Sequence, residues 1–180
     1  MSDFTERKIT YFHATGSGNT KDIARIVAER AADGDIEAVI VASSTGNTAL
    51  EVARAVSRAT KVFAVNFQPA YWDRHTRPDP ETKKKAEALG AVFMPDSPTA
   101  KYLKDIPGHS ADSLRLLGQG MKVAVEVIMQ AVEIGHLSKG AMVIGTGGSS
   151  RGADVAIVAR AAGPDDLSRF WISEILAKPR

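Results

Sequence analysis

Short apolar segments alternate with amphipathic ones along most of the chain. Segments rich in β-branched or aromatic residues predict seven strands, at residues 8–12, 38–42, 61–66, 91–94, 141–144, 155–159 and 170–177. Apolar residues that recur at helical spacing predict four helices, at residues 21–28, 49–56, 80–89 and 114–135. Strands that alternate with helices predict an α/β fold, with helices on both faces of a mainly parallel sheet.

The last two predicted strands are joined by a short link that contains Gly163 and Pro164. This link has room for about one helical turn, which suits an antiparallel return better than a parallel crossover. We therefore expect a three-layer α/β/α architecture whose sheet is mainly parallel and carries an antiparallel edge strand. A chain of 180 residues suits one such domain, at residues 1–180.

One sequence motif occurs twice, 28 residues apart, as Gly18-Asn19-Thr20 and Gly46-Asn47-Thr48. Each copy follows a predicted strand and precedes a predicted helix. Because the first amides of a helix have no partner within the helix, such a loop binds phosphate readily. We expect the two loops to lie side by side, since successive parallel strands are usually neighbours.

Three polar loops thus become candidates for a binding site: loop one (residues 13–20), loop two (43–48) and the glycine-rich loop three (145–154). The residues that we predict to bind a phosphorylated ligand are Ser17, Gly18, Asn19, Thr20, Ser43, Ser44, Thr45, Gly46, Asn47, Thr48, Gly147, Gly148 and Arg151. Glycines in loop three permit the close backbone approach that an anion needs.

Each loop also has a purely structural interpretation. Loop two could merely start a helix, with Thr48 as the cap and Glu51 completing a capping box, although we favour binding. Loop one could equally well bind ligand or only open a helix. In loop three, Arg151 could bind phosphate oxygens or pair with Asp154.

Other residues leave two interpretations open. Lys122 and Glu126, four residues apart, predict an ion pair on a helix face, which would line a pocket if that helix is buried. Tyr71 and Trp72 could stack on a planar ring or anchor a loop. Of the four histidines, only His13 lies where an acid or base could act. No histidine spacing indicates a metal site, so no metal and no catalytic residue is assigned.

The amino-acid composition limits which kinds of partner the protein is expected to have. The 23 Lys and Arg against 21 Asp and Glu give a net charge of +2, which does not favour nucleic acid. Absence of cysteine excludes disulfides and thiolate chemistry. The polar first eight residues differ from a secretory signal, and no apolar run reaches the roughly 20 residues of a membrane span. We expect a cytoplasmic protein with no membrane partner, and homo-oligomer formation stays open.

Four blocks, at residues 42–49, 122–126, 150–154 and 174–180, resemble stand-alone proteins similar to the C-terminal α/β domain of pyruvate kinase. The resemblance covers most of the chain and weakens at residues 95–113. It implies the pyruvate kinase C-terminal-like fold. It also implies that the loop at residues 43–48 binds a phosphate, as the equivalent pyruvate kinase loop does with its allosteric sugar bisphosphate.

Stand-alone members of this family resemble binders of flavin mononucleotide (FMN), which makes FMN the expected cofactor. Loop one is also similar to the phosphate loop of flavodoxins. The pyruvate kinase domain carries no catalytic machinery, so the resemblance favours a regulatory or ligand-binding module. The alternatives are a flavin-dependent oxidoreductase and a flavodoxin-like electron carrier.

Overall fold

The computed structural model describes residues 3–66, 77–95 and 110–180. Within them, the strands are β1 (Thr10–Phe12), β2 (Ala38–Ala42), β3 (Lys61–Val65), β4 (Ala91–Phe93), β5 (Met142–Gly147), β6 (Val155–Arg160) and β7 (Trp171–Pro179). The α-helices are α1 (Thr20–Ala31), α2 (Asn47–Ala55), α3 (Pro80–Ala88), α4 (Ser110–Arg115) and α5 (Gln119–Glu133). Short 3₁₀ helices at Ser17–Asn19 and Pro164–Arg169 precede α1 and β7.

These strands form one sheet in the order β1-β7-β6-β5-β2-β3-β4. All neighbouring pairs are parallel except those of β6, which runs antiparallel to both β5 and β7. The predicted α/β class, with a mainly parallel sheet and antiparallel pairing towards one edge, is confirmed. The short strand β1 pairs outside β7 and is the edge strand on that side.

Apolar side chains pack on both faces of the sheet. On β2, Ala38 and Ile40 contribute to the core under α5, and Val39 and Val41 contribute to the core under α1 and α2. Successive side chains of a strand point to opposite faces, so this division places helices on both sides. The uninterrupted apolar run of β2 is typical of a strand that is buried on both faces, and its first four residues are buried.

Two local predictions are wrong. Strands β1 and β2 are not neighbours, because β5, β6 and β7 lie between them: β5 pairs with β2 and the end of β7 pairs with β1. The predicted helix over residues 114–135 is instead divided between two helices, α4 and α5. The chain breaks at Gly118, whose φ of 112° is incompatible with a right-handed helix.

Strand β5 continues through Gly147, three residues beyond its predicted end, and two of these three residues are glycines. A Cβ at Gly145 would lie 2.6 Å from Ile128 Cδ1, and one at Gly147 would lie 2.7 Å from the Ala124 amide nitrogen. Both glycines therefore allow α5 to pack closely on the sheet. Gly147, which the sequence assigned to ligand binding, contributes to this packing instead.

Several predictions fall on residues outside the described ranges. These include Tyr71 and Trp72, and most of the segment at residues 95–113 where the family resemblance weakens. Among the helices of the described ranges, none has the length and apolarity to cross a membrane.

Candidate functional site

The carboxyl ends of β2, β3 and β5 lie at the same edge of the sheet, because these three strands are parallel neighbours. Loop two follows β2 and loop three follows β5, so both loops reach this edge. Helix α5 passes beside them. The loops and the helix enclose a cavity of about 620 Å³, which we call the loop cavity. Its size lies within the usual range for small-molecule sites.

Loop two turns into α2 at Gly46, whose φ of 97° lies in the left-handed region. Ser43 Oγ accepts a hydrogen bond from the Ala49 amide at 3.1 Å and so satisfies one of the first helical donors. The capping box predicted for Thr48 and Glu51 is therefore wrong. Glu51 instead pairs with Arg54 at 2.9 Å, and Thr48 lines the loop cavity.

Other backbone donors of loop two have no acceptor among the described residues. No described residue accepts a hydrogen bond from the amides of Ser44, Thr45, Gly46 or Thr48. These amides stand at the N-terminus of α2, where the helix dipole also favours negative charge. Three of these four amides, those of Ser44, Thr45 and Thr48, belong to residues that line the loop cavity.

Asp154 organises loop three. Its side chain is fully buried, and Oδ2 accepts hydrogen bonds from the amides of Gly16 at 2.8 Å and Ser149 at 3.2 Å. The carboxylate therefore joins loop three to loop one. The alternative ion pair between Arg151 and Asp154 is wrong: Arg151 is exposed, lines the loop cavity and pairs with no carboxylate among the described residues.

Loop one lies against loop three. The expected pairing of β1 with β2 is wrong, although Ser17 and Thr20 of loop one do line the same cavity as loop two. Thr20 Oγ1 accepts a hydrogen bond from the Ala153 amide at 3.1 Å. A Cβ at Gly152 would come within 2.7 Å of Ser17 Cα, so the glycine permits the close approach of the two loops. Asn19 closes loop one by donating from Nδ2 to the Ala14 carbonyl at 2.7 Å.

Helix α5 supplies the charged wall of the loop cavity. Lys122 and Glu126 form an ion pair there, and their side chains are only 12% and 10% exposed. Of the two interpretations left open by the sequence, the pocket-lining one is correct. Buried ion pairs contribute little net stability, which makes this pair a candidate for ligand recognition.

The loop cavity collects eight of the thirteen predicted binding residues: Ser17, Thr20, Ser44, Thr45, Asn47, Thr48, Gly148 and Arg151. The other five lie outside its lining. Ser43 and Gly46 shape the start of α2, Gly18 and Asn19 belong to the outer part of loop one, and Gly147 lies under α5. His13, the candidate acid or base, is exposed and also lies outside the lining.

Outside the three loops, sequence reasoning missed three polar lining residues, Asn66, Gln119 and Gln130. A signal for two of them existed. Gln119, Lys122, Glu126 and Gln130 recur at intervals of three and four along α5, a polar stripe on an otherwise apolar helix. Asn66 directly follows β3, at the sheet edge where the other loops meet.

Taken together, fold and site define an α/β protein with a polar cavity at the carboxyl ends of neighbouring parallel strands. No protein-family model matches this sequence. Among the described residues, no cluster of three His, Asp or Glu side chains is arranged to hold a metal ion.

Proposed function

We propose that this protein binds a phosphorylated small molecule in the loop cavity, with FMN as the first candidate. The observation that carries the proposal is the set of loop-two amides at the start of α2 that donate to no described residue. A phosphate at a helix N-terminus accepts such donors and interacts favourably with the helix dipole.

Charge around the cavity supports an anionic ligand. The Arg151 guanidinium lines it without a carboxylate partner among the described residues and can donate two hydrogen bonds to phosphate oxygens. The amides of Ser150 and Gly152 also donate to no described residue. The phosphate would thus be held between loop two and loop three.

The rest of the cavity suits a planar organic group. Ala42, Val65, Val123 and Val127 provide apolar lining, and Lys122 with Glu126 provides polar groups. A volume of about 620 Å³ fits a mononucleotide of FMN size. When bound, FMN would supply a ring that accepts and donates electrons, and this chain would supply binding and orientation.

The resemblance to pyruvate kinase C-terminal-like proteins supports the same proposal. It agrees with a phosphate in loop two, and it favours a binding or regulatory role over turnover. Reduction of the bound flavin by a reduced nicotinamide would instead favour an oxidoreductase.

Isothermal titration calorimetry with FMN and riboflavin tests the proposal. FMN carries the phosphate and riboflavin does not, so we expect FMN to bind at least tenfold more tightly. Thr48→Val keeps the shape of a side chain that is 4% exposed and removes its hydroxyl. We expect it to weaken FMN binding about tenfold without a change in unfolding temperature.

The matched control is Thr60→Val, because Thr60 precedes β3 at the opposite end of the sheet. Gly46→Val is unsuitable: its φ is positive, and a Cβ there would lie 3.2 Å from the Lys83 amide nitrogen, so the fold itself would suffer. Equal affinity for FMN and riboflavin, or normal FMN binding by Thr48→Val, would contradict the proposal. If the protein binds sugar phosphates but does not bind FMN, the proposed phosphate site stands and the assignment of FMN as the ligand is wrong.

A further inference from the structure

A second cavity, of about 370 Å³, lies at the other end of the sheet. It is lined by Arg160, the last residue of β6, and by Trp171, the first residue of β7. Because β6 runs against its neighbours, its last residue lies at the amino ends of the parallel strands. The length of β6 separates this cavity from the loop cavity by roughly 17 Å.

Among the described residues, the charged groups around the second cavity leave one cation without a carboxylate partner. Lys139 pairs with Asp165 at 2.6 Å, and Arg169 pairs with Asp166 at 3.2 Å. Asp166 also accepts a hydrogen bond from Ser168 Oγ at 3.0 Å. Arg160 is exposed and has no carboxylate partner among the described residues. The cavity therefore favours an anion, and Arg160 is the group placed to bind it.

Trp171 provides an aromatic surface beside that cation. Its side chain is 67% exposed, although a tryptophan is usually largely buried. Within the described ranges, no aromatic ring or cation stacks on it. Arg160 and Trp171 are register partners across the antiparallel pair, so their side chains project from the same face of the sheet and lie close together.

We propose that the second cavity binds a nucleoside monophosphate, with the base stacked on Trp171 and the phosphate held by Arg160. An exposed indole favours a planar ring, and an unpaired guanidinium favours a phosphate through two parallel hydrogen bonds. The pairing of both nearby carboxylates with Lys139 and Arg169 reduces their repulsion of the anion. The site is independent of the loop cavity.

Calorimetric titrations of the full chain with AMP, adenosine and ribose 5-phosphate test this proposal. We expect AMP to bind the wild type at least tenfold more tightly than either fragment. Arg160→Gln should weaken AMP at least tenfold and leave adenosine unchanged, whereas Trp171→Leu should weaken both. Arg25→Gln, which changes an exposed arginine of α1, is the matched control and should bind AMP normally.

The variant Thr48→Val separates the two sites, because it changes only the loop cavity. Its retention of AMP binding, together with the losses in Arg160→Gln and Trp171→Leu, would support the second site. Absence of AMP binding in the wild type, normal AMP binding by either variant of the second cavity, or loss of AMP binding in Thr48→Val would overturn it. Both substituted side chains are exposed, and circular dichroism checks that each variant is folded.

Discussion

At the scale of single residues, Asp154 determines how the candidate site is assembled. One carboxylate oxygen accepts hydrogen bonds from the amides of Gly16 and Ser149, which belong to different loops. The side chain has no solvent exposure. Removal of the carboxylate would leave the buried Gly16 amide and the half-buried Ser149 amide without their acceptor. A buried donor without a partner costs about 1 to 3 kcal/mol.

We therefore predict that Asp154→Ala lowers the free energy of unfolding by about 2 to 4 kcal/mol, measured by urea denaturation. Asp112→Ala is the control, because Asp112 is an exposed residue that pairs with Arg115 on α4. The control should lose less than about 1 kcal/mol. Equal losses in the two variants would mean that Asp154 does not hold the loops.

At the scale of elements, the contact of α5 with β5 places the charged wall of the loop cavity. Gly145 and Gly147 leave no room for side chains between the helix and the strand. Ala124, Val125, Ile128 and Met129 of α5 are buried by this contact. A methyl group on the strand would push the helix away and shift Lys122 and Glu126 with it.

We predict that Gly147→Ala lowers the free energy of unfolding by about 1 to 3 kcal/mol through overpacking. The clash is with backbone, namely the Gly120 carbonyl oxygen and the Ala124 amide, so it cannot be relieved by a side-chain rotation. Gly18→Ala is the matched control, since a Cβ at Gly18 meets nothing within 4 Å. Chemical denaturation that finds the two variants equally stable would refute this account of the packing.

A second contact between elements joins the end of α1 to β7. Arg30, buried in α1, donates to Asp35 at 2.6 and 2.9 Å and to Glu174 at 2.8 Å. The hydrogen bond from Arg30 lowers the pKa of Asp35 below its usual value, despite the opposing effect of burial, and the same contact raises the pKa of Arg30. The folded state thus favours the ionised carboxylate.

This lowered pKa predicts a pH dependence. The contribution of Asp35 is fully present above its unfolded pKa of about 3.9, and it is lost as the pH falls through the lower folded pKa. Wild type should therefore be more stable than Asp35→Asn at pH 7, and the difference should narrow below about pH 4. Urea denaturation between pH 2 and 7 measures this difference in the free energy of unfolding. A difference that stays constant over this range would contradict the lowered pKa of Asp35.

At the scale of the whole molecule, local patterns predicted the elements well and their spatial order less well. The apolar run of β2 and the spacing of α1 are local signals, and both elements formed where expected. The neighbours of β1 depend on where β5, β6 and β7 insert, which only long-range pairing determines. The same limit hid the role of Asp154, since its partner Gly16 lies 138 residues away.

For the site, glycine and threonine in loop two predicted donors at a helix start, and those donors are present. The pattern did not distinguish residues that line the cavity from those that shape the backbone. Ser43 and Gly46 carry the right chemistry, yet one caps α2 and the other turns the chain. That distinction depends on where the folded backbone places each residue, which residue type does not encode.

The most direct test of the proposed site is a titration of ¹⁵N-labelled protein with FMN, followed by two-dimensional NMR of the backbone amides. We predict that the largest shifts occur at the amides of Ser44, Thr45 and Thr48 and at those of Ser150 and Gly152, because the proposed phosphate accepts hydrogen bonds from these groups. Saturable shifts confined to other regions, or no shifts at millimolar FMN, would contradict the account.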